Sequence, residues 1–353
     1  MALLSSAQRC ALKGRAAAFQ PCAPALAGRG RRALAVRAAA DDAFASYKPT
    51  VAALFPGQGA QSVGMAKDLV SVPAAKELFD KAADILGYDL YKLCVEGPKD
   101  KLDSTAISQP AIYVASLAAV EKLRATEGQA AIDSIDVAAG LSLGEYTALA
   151  FAGAMSFEDG LRLVALRGAS MQAAADAQPS SMVSVIGLDS AKVAELCKAA
   201  TAEAGEDKPV KIANFLCPGN YAVSGSKEGC DAVEKLGKSF GARMTVRLAV
   251  AGAFHTEYMS PAVGKLREAL AATTISTPRI PVVSNVDAAP HSDPEVIKDI
   301  LSRQVTSPVL WENTVKILME KGMTKSYEIG PGKVIAGIVK RIDKAHNIIN
   351  ITA

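Results

Sequence analysis

The 353-residue sequence predicts an α/β fold in which a parallel-sheet domain carries an inserted ferredoxin-like α+β subdomain. Three observations predict it. Half of the residues are hydrophobic and 21% are charged, enough apolar side chain for one large core or two smaller ones. Short apolar strand patterns alternate with helical periods along most of the chain, the rhythm of a parallel sheet covered on both faces. Between residues 182 and 250 the order becomes strand, helix, strand, strand, helix, strand, which is the split ferredoxin-like unit.

Residues 51–55 (VAALF) are an apolar run halted by Pro56-Gly57-Gln58-Gly59, hence a buried strand ending in a loop. Apolar positions at three- and four-residue spacing predict helices over 73–86 and 109–124. Residues 135–139 form the next strand, and Gly140-Leu141-Ser142-Leu143-Gly144 turns it sharply into a helix holding Tyr146, Leu149 and Phe151. A helix over 157–177 stops before Pro179. Within the insert, strands are expected at 183–186, 210–215, 221–224 and 244–248, with helices over 190–204 and 227–240. Alternation resumes with a strand at 280–283, a helix at 311–320, a strand at 326–329 and a helix after Gly330-Pro331-Gly332. The expected layout is a main domain of residues 50–180 and 250–353, interrupted by the subdomain at 181–249.

The first forty residues stand apart. They contain Arg9, Lys13, Arg15, Arg29, Arg31, Arg32 and Arg37, no Asp or Glu, and much Ala and Ser, the composition of an organellar transit peptide. They lack the continuous apolar centre of a secretory signal, and Val36-Arg37-Ala38-Ala39 before Asp41-Asp42 reads as a processing boundary. The Val-Arg-Ala ending resembles algal plastid transit peptides, so residues 1–40 are expected to direct the protein to the chloroplast; mitochondrial import, which the composition alone also fits, and a basic tail that is never cleaved are the alternatives. Without them the formal net charge falls from +3 to −4. A mildly acidic mature protein has no bulk electrostatic reason to bind nucleic acid or an anionic membrane. No stretch reaches the roughly 18 unbroken apolar residues of a membrane helix. Cys94, Cys197, Cys217 and Cys230 form no C-x-x-C pair and have no His at ligand spacing, so idle thiols are expected rather than a metal site or disulfides.

Gly140–Gly144 is a G-x-S-x-G pentapeptide at a strand-to-helix junction. In that α/β-hydrolase-like context a serine hydroxyl is exposed and the following backbone N–H is aimed where an oxyanion forms; otherwise it is a plain turn. A serine nucleophile needs a base, and the chain has three histidines. His346 lies in a polar stretch near the end and His291 in a polar loop, so both are expected at the surface. His255 follows the small apolar residues 250–254 where the insert rejoins the main sheet, a junction that forms clefts; it is either the base or a satisfied structural histidine. The same parts would serve a serine hydrolase or thioesterase, and a non-catalytic binding scaffold also stays open. By composition alone Arg167 reads as an ordinary surface cation. Arg162, five positions earlier on the same predicted helix, points about 140° away, so the two cannot face one cleft.

Six blocks in order say more: Phe55-Pro56-Gly57-Gln58-Gly59-Ala60-Gln61, Gly140-Leu141-Ser142-Leu143-Gly144-Glu145-Tyr146, Leu166-Arg167-Gly168, Ala253-Phe254-His255, Ser284-Asn285-Val286-Asp287 and Glu328-Ile329-Gly330-Pro331-Gly332-Lys333. From residue 51 to the C-terminal helix the chain resembles the malonyl-CoA:acyl-carrier-protein transacylases and the related acyltransferase domains of fatty-acid and polyketide synthases, in a plastid form. The resemblance implies that Ser142 attacks the thioester and that His255 takes its proton and returns it to the leaving thiol. It implies an oxyanion held by the backbone N–H groups of Gln58 and Leu143. The carbonyl that orients the imidazole would come from the segment at Gln304, which on sequence alone is a polar helix-end residue. Arg167 would grip the free carboxylate of malonyl through a fork that lysine lacks, and Phe254 would limit room at the acyl α-carbon. Malonyl-CoA is then the substrate and an acyl carrier protein bearing 4'-phosphopantetheine the partner, with malonyl-carrier thioester supplied to fatty acid synthesis, no metal or redox cofactor, and a monomeric enzyme. One departure is Leu141, where many relatives have His; any contact of that His with the acyl group is in doubt here.

From Lys316 to Lys344 seven basic residues face only Glu320, Glu328 and Asp343. This cluster, with Lys333, Lys340, Arg341 and Lys344 at its end, is either a docking surface for an acidic carrier or a solvated helix face.

Overall fold

The computed structural model describes residues 42–353. The transit peptide expected over residues 1–40 lies outside them. The strands are β1 (Val51–Phe55), β2 (Val137–Gly140), β3 (Ser180–Ile186), β4 (Val210–Cys217), β5 (Asn220–Ser226), β6 (Met244–Arg247), β7 (Val282–Val283), β8 (Lys325–Gly330) and β9 (Asn347–Thr352). They form a parallel sheet in the order β7-β2-β1-β8-β9 and an antiparallel sheet in the order β4-β5-β3-β6.

The near-continuous apolar reading of β1 follows from its central place in the parallel sheet. Side chains alternate across a strand, and both faces of β1 are covered. Ala53 and Phe55 point into a core shared with the Thr105–Glu127 helix, while Ala52 and Leu54 meet Trp311, Val315 and Val339 on the other side. All four are fully buried. The register pairs Phe55 with Gly140, so the loops leaving β1 and β2 emerge side by side at the carboxyl edge of the sheet. In open parallel sheets that edge is where ligands bind.

The antiparallel sheet covers one of its faces with the helices Ser190–Ala204 and Lys227–Leu236, through Val183, Val185, Val223, Val193, Leu196 and Val233. Arg247 on that face pairs with Asp231 and Glu234. The alternate positions, Met182 in β3 and Leu248 just after β6, face the parallel sheet across a cleft. The chain enters this sheet from the Phe157–Ala177 helix and leaves it after β6 to reach His255.

Several elements differ from the sequence reading. The long helix begins at Thr105, the helix of the insert ends at Leu236, and β7 shrinks to Val282–Val283. Helices Ser260–Ala272 and Pro294–Gln304 were not expected. The second does carry a start signal, since Asp293 caps it by accepting from Glu295 N–H (2.8 Å) ahead of Pro294. The polar-looking end of the chain is β9, an edge strand parallel to β8. That pairing corrects the placement of His346, which is buried and bonded to Ser326 Oγ (3.0 Å) rather than solvated. His291 is half-buried, with Nε2 2.9 Å from Asp287 Oδ2. Among the described residues no helix is long and apolar enough to cross a membrane.

Candidate active site

The G-x-S-x-G turn is tight because its glycines leave no room for a side chain. A Cβ on Gly140 would lie 1.9 Å from the carbonyl carbon of Gly144, and one on Gly144 would lie 2.2 Å from Phe55 O. Leu141 N–H donates to Phe55 C=O (3.0 Å), which binds the turn to β1. The result is a nucleophile elbow: Ser142 has φ +53° and ψ −102°, outside the regions that L-residues prefer, and it ends the strand just before the helix Leu143–Phe151. Strain of this kind persists only where surrounding contacts over-determine it. Here Asn285 Oδ1 accepts from Ser142 N–H (2.6 Å), and Gln304 Nε2 donates to Ser142 C=O (3.0 Å).

Ser142 Oγ lies 2.8 Å from His255 Nε2. The other ring nitrogen, Nδ1, is 2.9 Å from the main-chain carbonyl of Gln304, and a carbonyl only accepts. Nδ1 therefore carries the proton, and the lone pair of Nε2 faces the hydroxyl. His255 N–H also donates to Val305 C=O (3.1 Å), so both backbone and ring are fastened to the end of the Pro294–Gln304 helix. Burial, reinforced by Arg167 beside it, holds the imidazole pKa down at about 4, against the pull of the Gln304 carbonyl. The ring is thus neutral at physiological pH, the form a general base requires.

Arg167, 1% exposed, lies on the buried face of the Phe157–Ala177 helix, whereas Arg162 points outward and pairs with Asp159. Its guanidinium donates to Gln109 Oε1 (2.6 Å), Gln304 Oε1 (2.9 Å) and Ser142 Oγ (3.1 Å), all neutral acceptors. Nε finds no partner among the described residues, and the ring of Tyr146 lies 5.3 Å from the guanidinium carbon. Burying a cation against neutral groups is costly. A site that does so is prepared for an anion brought by a ligand.

These groups open into a cavity of about 90 Å³ whose walls include Gln58, Leu143, Phe254, Met182 and Leu248. That is small beside the roughly 300–1,000 Å³ of drug-sized sites and suits a short acyl group. Leu143 N–H is at the first helical position, where a helix has no acceptor of its own for the group. The Gln58 side chain is held away by Thr105 Oγ1 (3.2 Å). Larger depressions, about 420 Å³ beside Phe151 and Arg279 and about 500 Å³ beside Cys197, bring no serine and histidine together. The four cysteines of the described residues are free and buried, and burial pushes the Cys94 and Cys197 thiols up to about 12. Among the described residues no group of three or more His, Cys, Asp or Glu could hold a metal ion.

The structure thus brings Ser142, His255, Arg167, Gln304, Phe254, Gln58 and Leu143 to one place. It also adds residues that sequence reasoning assigned no role: Gln109 and Asn285, and Glu145, whose buried carboxylate Oε2 accepts from Gln304 Nε2 (2.6 Å) and Asn285 N–H (3.1 Å). Glu145 and Asn285 both lie in the sequence blocks that carry the family resemblance, the one signal that pointed to them. The basic cluster is only partly free. Lys333, Lys340, Arg341 and Lys344 are exposed, but Lys340 Nζ donates to the carbonyls of Lys344 (3.1 Å) and His346 (2.6 Å), closing the end of its helix.

Comparison with known proteins places this geometry. The acyl transferase domain family matches residues 53–351. The chain belongs to the acyl transferase family. It is 42% identical over 295 residues to the human mitochondrial malonyl-CoA-acyl carrier protein transacylase, covering 81% of this chain and 75% of the human one. It is 40% identical over 290 residues to the malonyl CoA-acyl carrier protein transacylase of Escherichia coli K12, covering 82% and 91% of the two chains. Among solved structures, the Coxiella burnetii malonyl CoA-acyl carrier protein transacylase superposes with a TM-score of 0.81 at 35% identity, over 87% of this chain and 95% of that one. A malonyl-transacylase in complex with a type II polyketide synthase acyl-carrier protein superposes with a TM-score of 0.80 at 37% identity, over 85% and 95%. As an acyl transferase the protein is an enzyme, and its parallel sheet with an antiparallel sheet beside it is the fold of these relatives.

Proposed function

We propose that this enzyme transfers a malonyl group from malonyl-CoA to the pantetheine thiol of an acyl carrier protein, through a malonyl ester of Ser142, and so supplies malonyl-carrier thioester for fatty acid synthesis. The observation that carries the reading is the placing of one hydroxyl between a neutral imidazole (2.8 Å) and a buried guanidinium (3.1 Å). The relatives named for this reaction support it.

In the first half-reaction His255 Nε2 removes the Ser142 proton as Oγ attacks the thioester carbonyl. The oxyanion forms beside the backbone N–H groups assigned to Gln58 and Leu143, the latter at the positive end of a helix. The Oγ–C bond forms, the C–S bond breaks, and the imidazolium returns its proton to the leaving thiolate of coenzyme A. The second half-reaction runs the same steps in reverse with the carrier thiol as nucleophile. The imidazolium is stabilised by the Gln304 carbonyl dipole, so no acidic third member is needed. Arg167 grips the malonyl carboxylate, and Phe254, 5% exposed on the cavity wall, restricts the α-carbon.

We infer that the acidic carrier docks on the basic Val334–Ile342 helix, with Lys333 and Arg341 as the cations that meet it. Lys333 follows Gly332, whose Cα faces Ala60 of the loop after β1, and Arg341 lies against Cys217 at the end of β4. Both cations are exposed. The transit-peptide composition of residues 1–40 and their Val-Arg-Ala ending, which resembles algal plastid leaders, support a plastid location; a fluorescent reporter fused behind them should enter chloroplasts, and a mitochondrial or cytosolic reporter would reject it.

Intact-mass spectrometry after mixing with malonyl-CoA tests the chemistry. One malonyl group should add to the enzyme and none to Ser142→Ala, and the loaded enzyme should deliver it to holo carrier protein. Release of free malonate instead would mark a hydrolase.

A further inference from the structure

We propose that Glu145 is a positioning residue for this acyl transfer: acting through Gln304 and Asn285, it keeps the Arg167 guanidinium aimed at Ser142 Oγ and the Ser142 backbone in its left-handed conformation. The inference rests on the malonyl-transfer reading above and adds a residue to it.

The geometry is a closed relay. Gln304 is fully buried, and its amide has two unlike ends. Oε1 accepts from Arg167 (2.9 Å), while Nε2 donates to Ser142 C=O (3.0 Å) and to Glu145 Oε2 (2.6 Å). Turned over, the amide would set N–H against the guanidinium N–H groups and oxygen against a carbonyl and a carboxylate. A carboxylate acceptor at Glu145 thus selects the orientation that presents an acceptor to Arg167. The same oxygen holds Asn285 N–H (3.1 Å), whose side chain accepts from Ser142 N–H (2.6 Å) and donates to Gly140 C=O (2.7 Å). Both main-chain groups of the strained nucleophile therefore lead back to one carboxylate. Glu145 touches neither reacting atom in these contacts and acts through its neighbours. Its own position is set by the Leu143–Phe151 helix, in whose first turn it sits, and by burial to 3% exposure.

A role in packing alone would lower stability or all rates together, so the test reads a ratio. Single-turnover loading of Ser142 from malonyl-CoA and from acetyl-CoA is followed by intact mass in the parent enzyme and in Glu145→Gln, Glu145→Asp and Glu145→Leu. Glutamine offers an acceptor oxygen at the same reach and should keep the malonyl-to-acetyl ratio within about threefold of the parent. Aspartate withdraws the acceptor by one methylene and leucine removes it; each should lower the ratio by at least about tenfold, the loss expected for a misdirected charged hydrogen bond. Gln304→Leu cuts the relay at its other end and should give the same loss, whatever the folding of the Glu145 variants. A parental ratio in Gln304→Leu or in folded Glu145→Asp would overturn the proposal, as would a Glu145→Gln enzyme as impaired as Glu145→Asp. A parent that malonyl-CoA fails to acylate would refute the functional reading instead, so the two failures are separate.

Discussion

Arg167 Nη2 reaches Ser142 Oγ at 3.1 Å, so the cation that would hold the tail of the acyl group also touches the oxygen that would attack its head. The hydroxyl can accept from Arg167 while donating to His255, an arrangement that favours the alkoxide. Arg167→Ala should therefore reduce malonyl loading by on the order of 100-fold, the worth of two charge-assisted hydrogen bonds in a buried site. Acetyl loading, which has no carboxylate to lose, should fall less. Arg167→Lys should not restore malonyl loading, because an ammonium cannot span the acceptors that the fork reaches. Equal losses with both acyl-CoAs would refute this account.

The depressed pKa of His255 gives a signed pH prediction. Its active form is the neutral one, and burial beside Arg167 keeps it neutral down to about 4. In Glu145→Gln, which removes the carboxyl that burial pushes up to about 7, loading from acetyl-CoA should hold its kcat/KM as pH falls through the ordinary imidazole range and lose it only as pH passes about 4. An acid limb centred in the ordinary imidazole range would contradict the environment described.

Phe254 sets a size limit that is real but incomplete. Phe254→Val should raise loading by methylmalonyl-CoA relative to malonyl-CoA by about tenfold, because one methyl in an apolar pocket is worth roughly 1–3 kcal/mol. Competition between the two thioesters, read by acyl-enzyme mass, measures the shift. No change would move the selecting wall elsewhere.

Gly144 tests the elbow itself. A Cβ there would sit 2.2 Å from the backbone oxygen of Phe55, which cannot swing aside as a side chain could. Gly144→Ala should cost about 1–3 kcal/mol or more in urea denaturation. An alanine enzyme with parental stability and activity would show that the turn has slack.

Carrier docking predicts a salt-dependent effect. Lys333→Glu and Arg341→Glu together should raise KM for the carrier at low ionic strength and leave malonyl loading unaltered. Lys340 is a poorer choice, since its ammonium closes the helix end by bonding Lys344 and His346 carbonyls. An unchanged carrier KM would return the cluster to a solvated helix face.

The main lines of the fold were legible because local pattern and topology agree. The unbroken apolar run of β1, the G-x-S-x-G turn and the changed rhythm between β3 and β6 each follow from patterns within a few residues. What escaped were features decided by distant pairing. β9 reads as a polar tail until β8 lies beside it, and His346 is drawn inside by that pairing, not by its neighbours in sequence. The site divides similarly. Ser142 and His255 stand out by chemistry, since one lies in a strained turn and the other is one of three histidines. Arg167 and Gln304 looked like ordinary polar residues; their burial depends on elements 137 positions apart meeting in space. Asn285 and Glu145 left no chemical signature at all, because their work is to hold other groups by single hydrogen bonds.

The path of the chain to His255 carries a mechanical consequence. It arrives by way of the antiparallel sheet, yet the imidazole and its backbone are fastened to Gln304 and Val305 instead. The smaller sheet holds the same segment one and two residues earlier, Ser224 Oγ donating to Phe254 C=O (2.8 Å) and Ser180 Oγ accepting from Ala253 N–H (3.0 Å). The base is thereby pinned from both sides of the entrance, so strain applied to either sheet is felt at the proton-transfer couple.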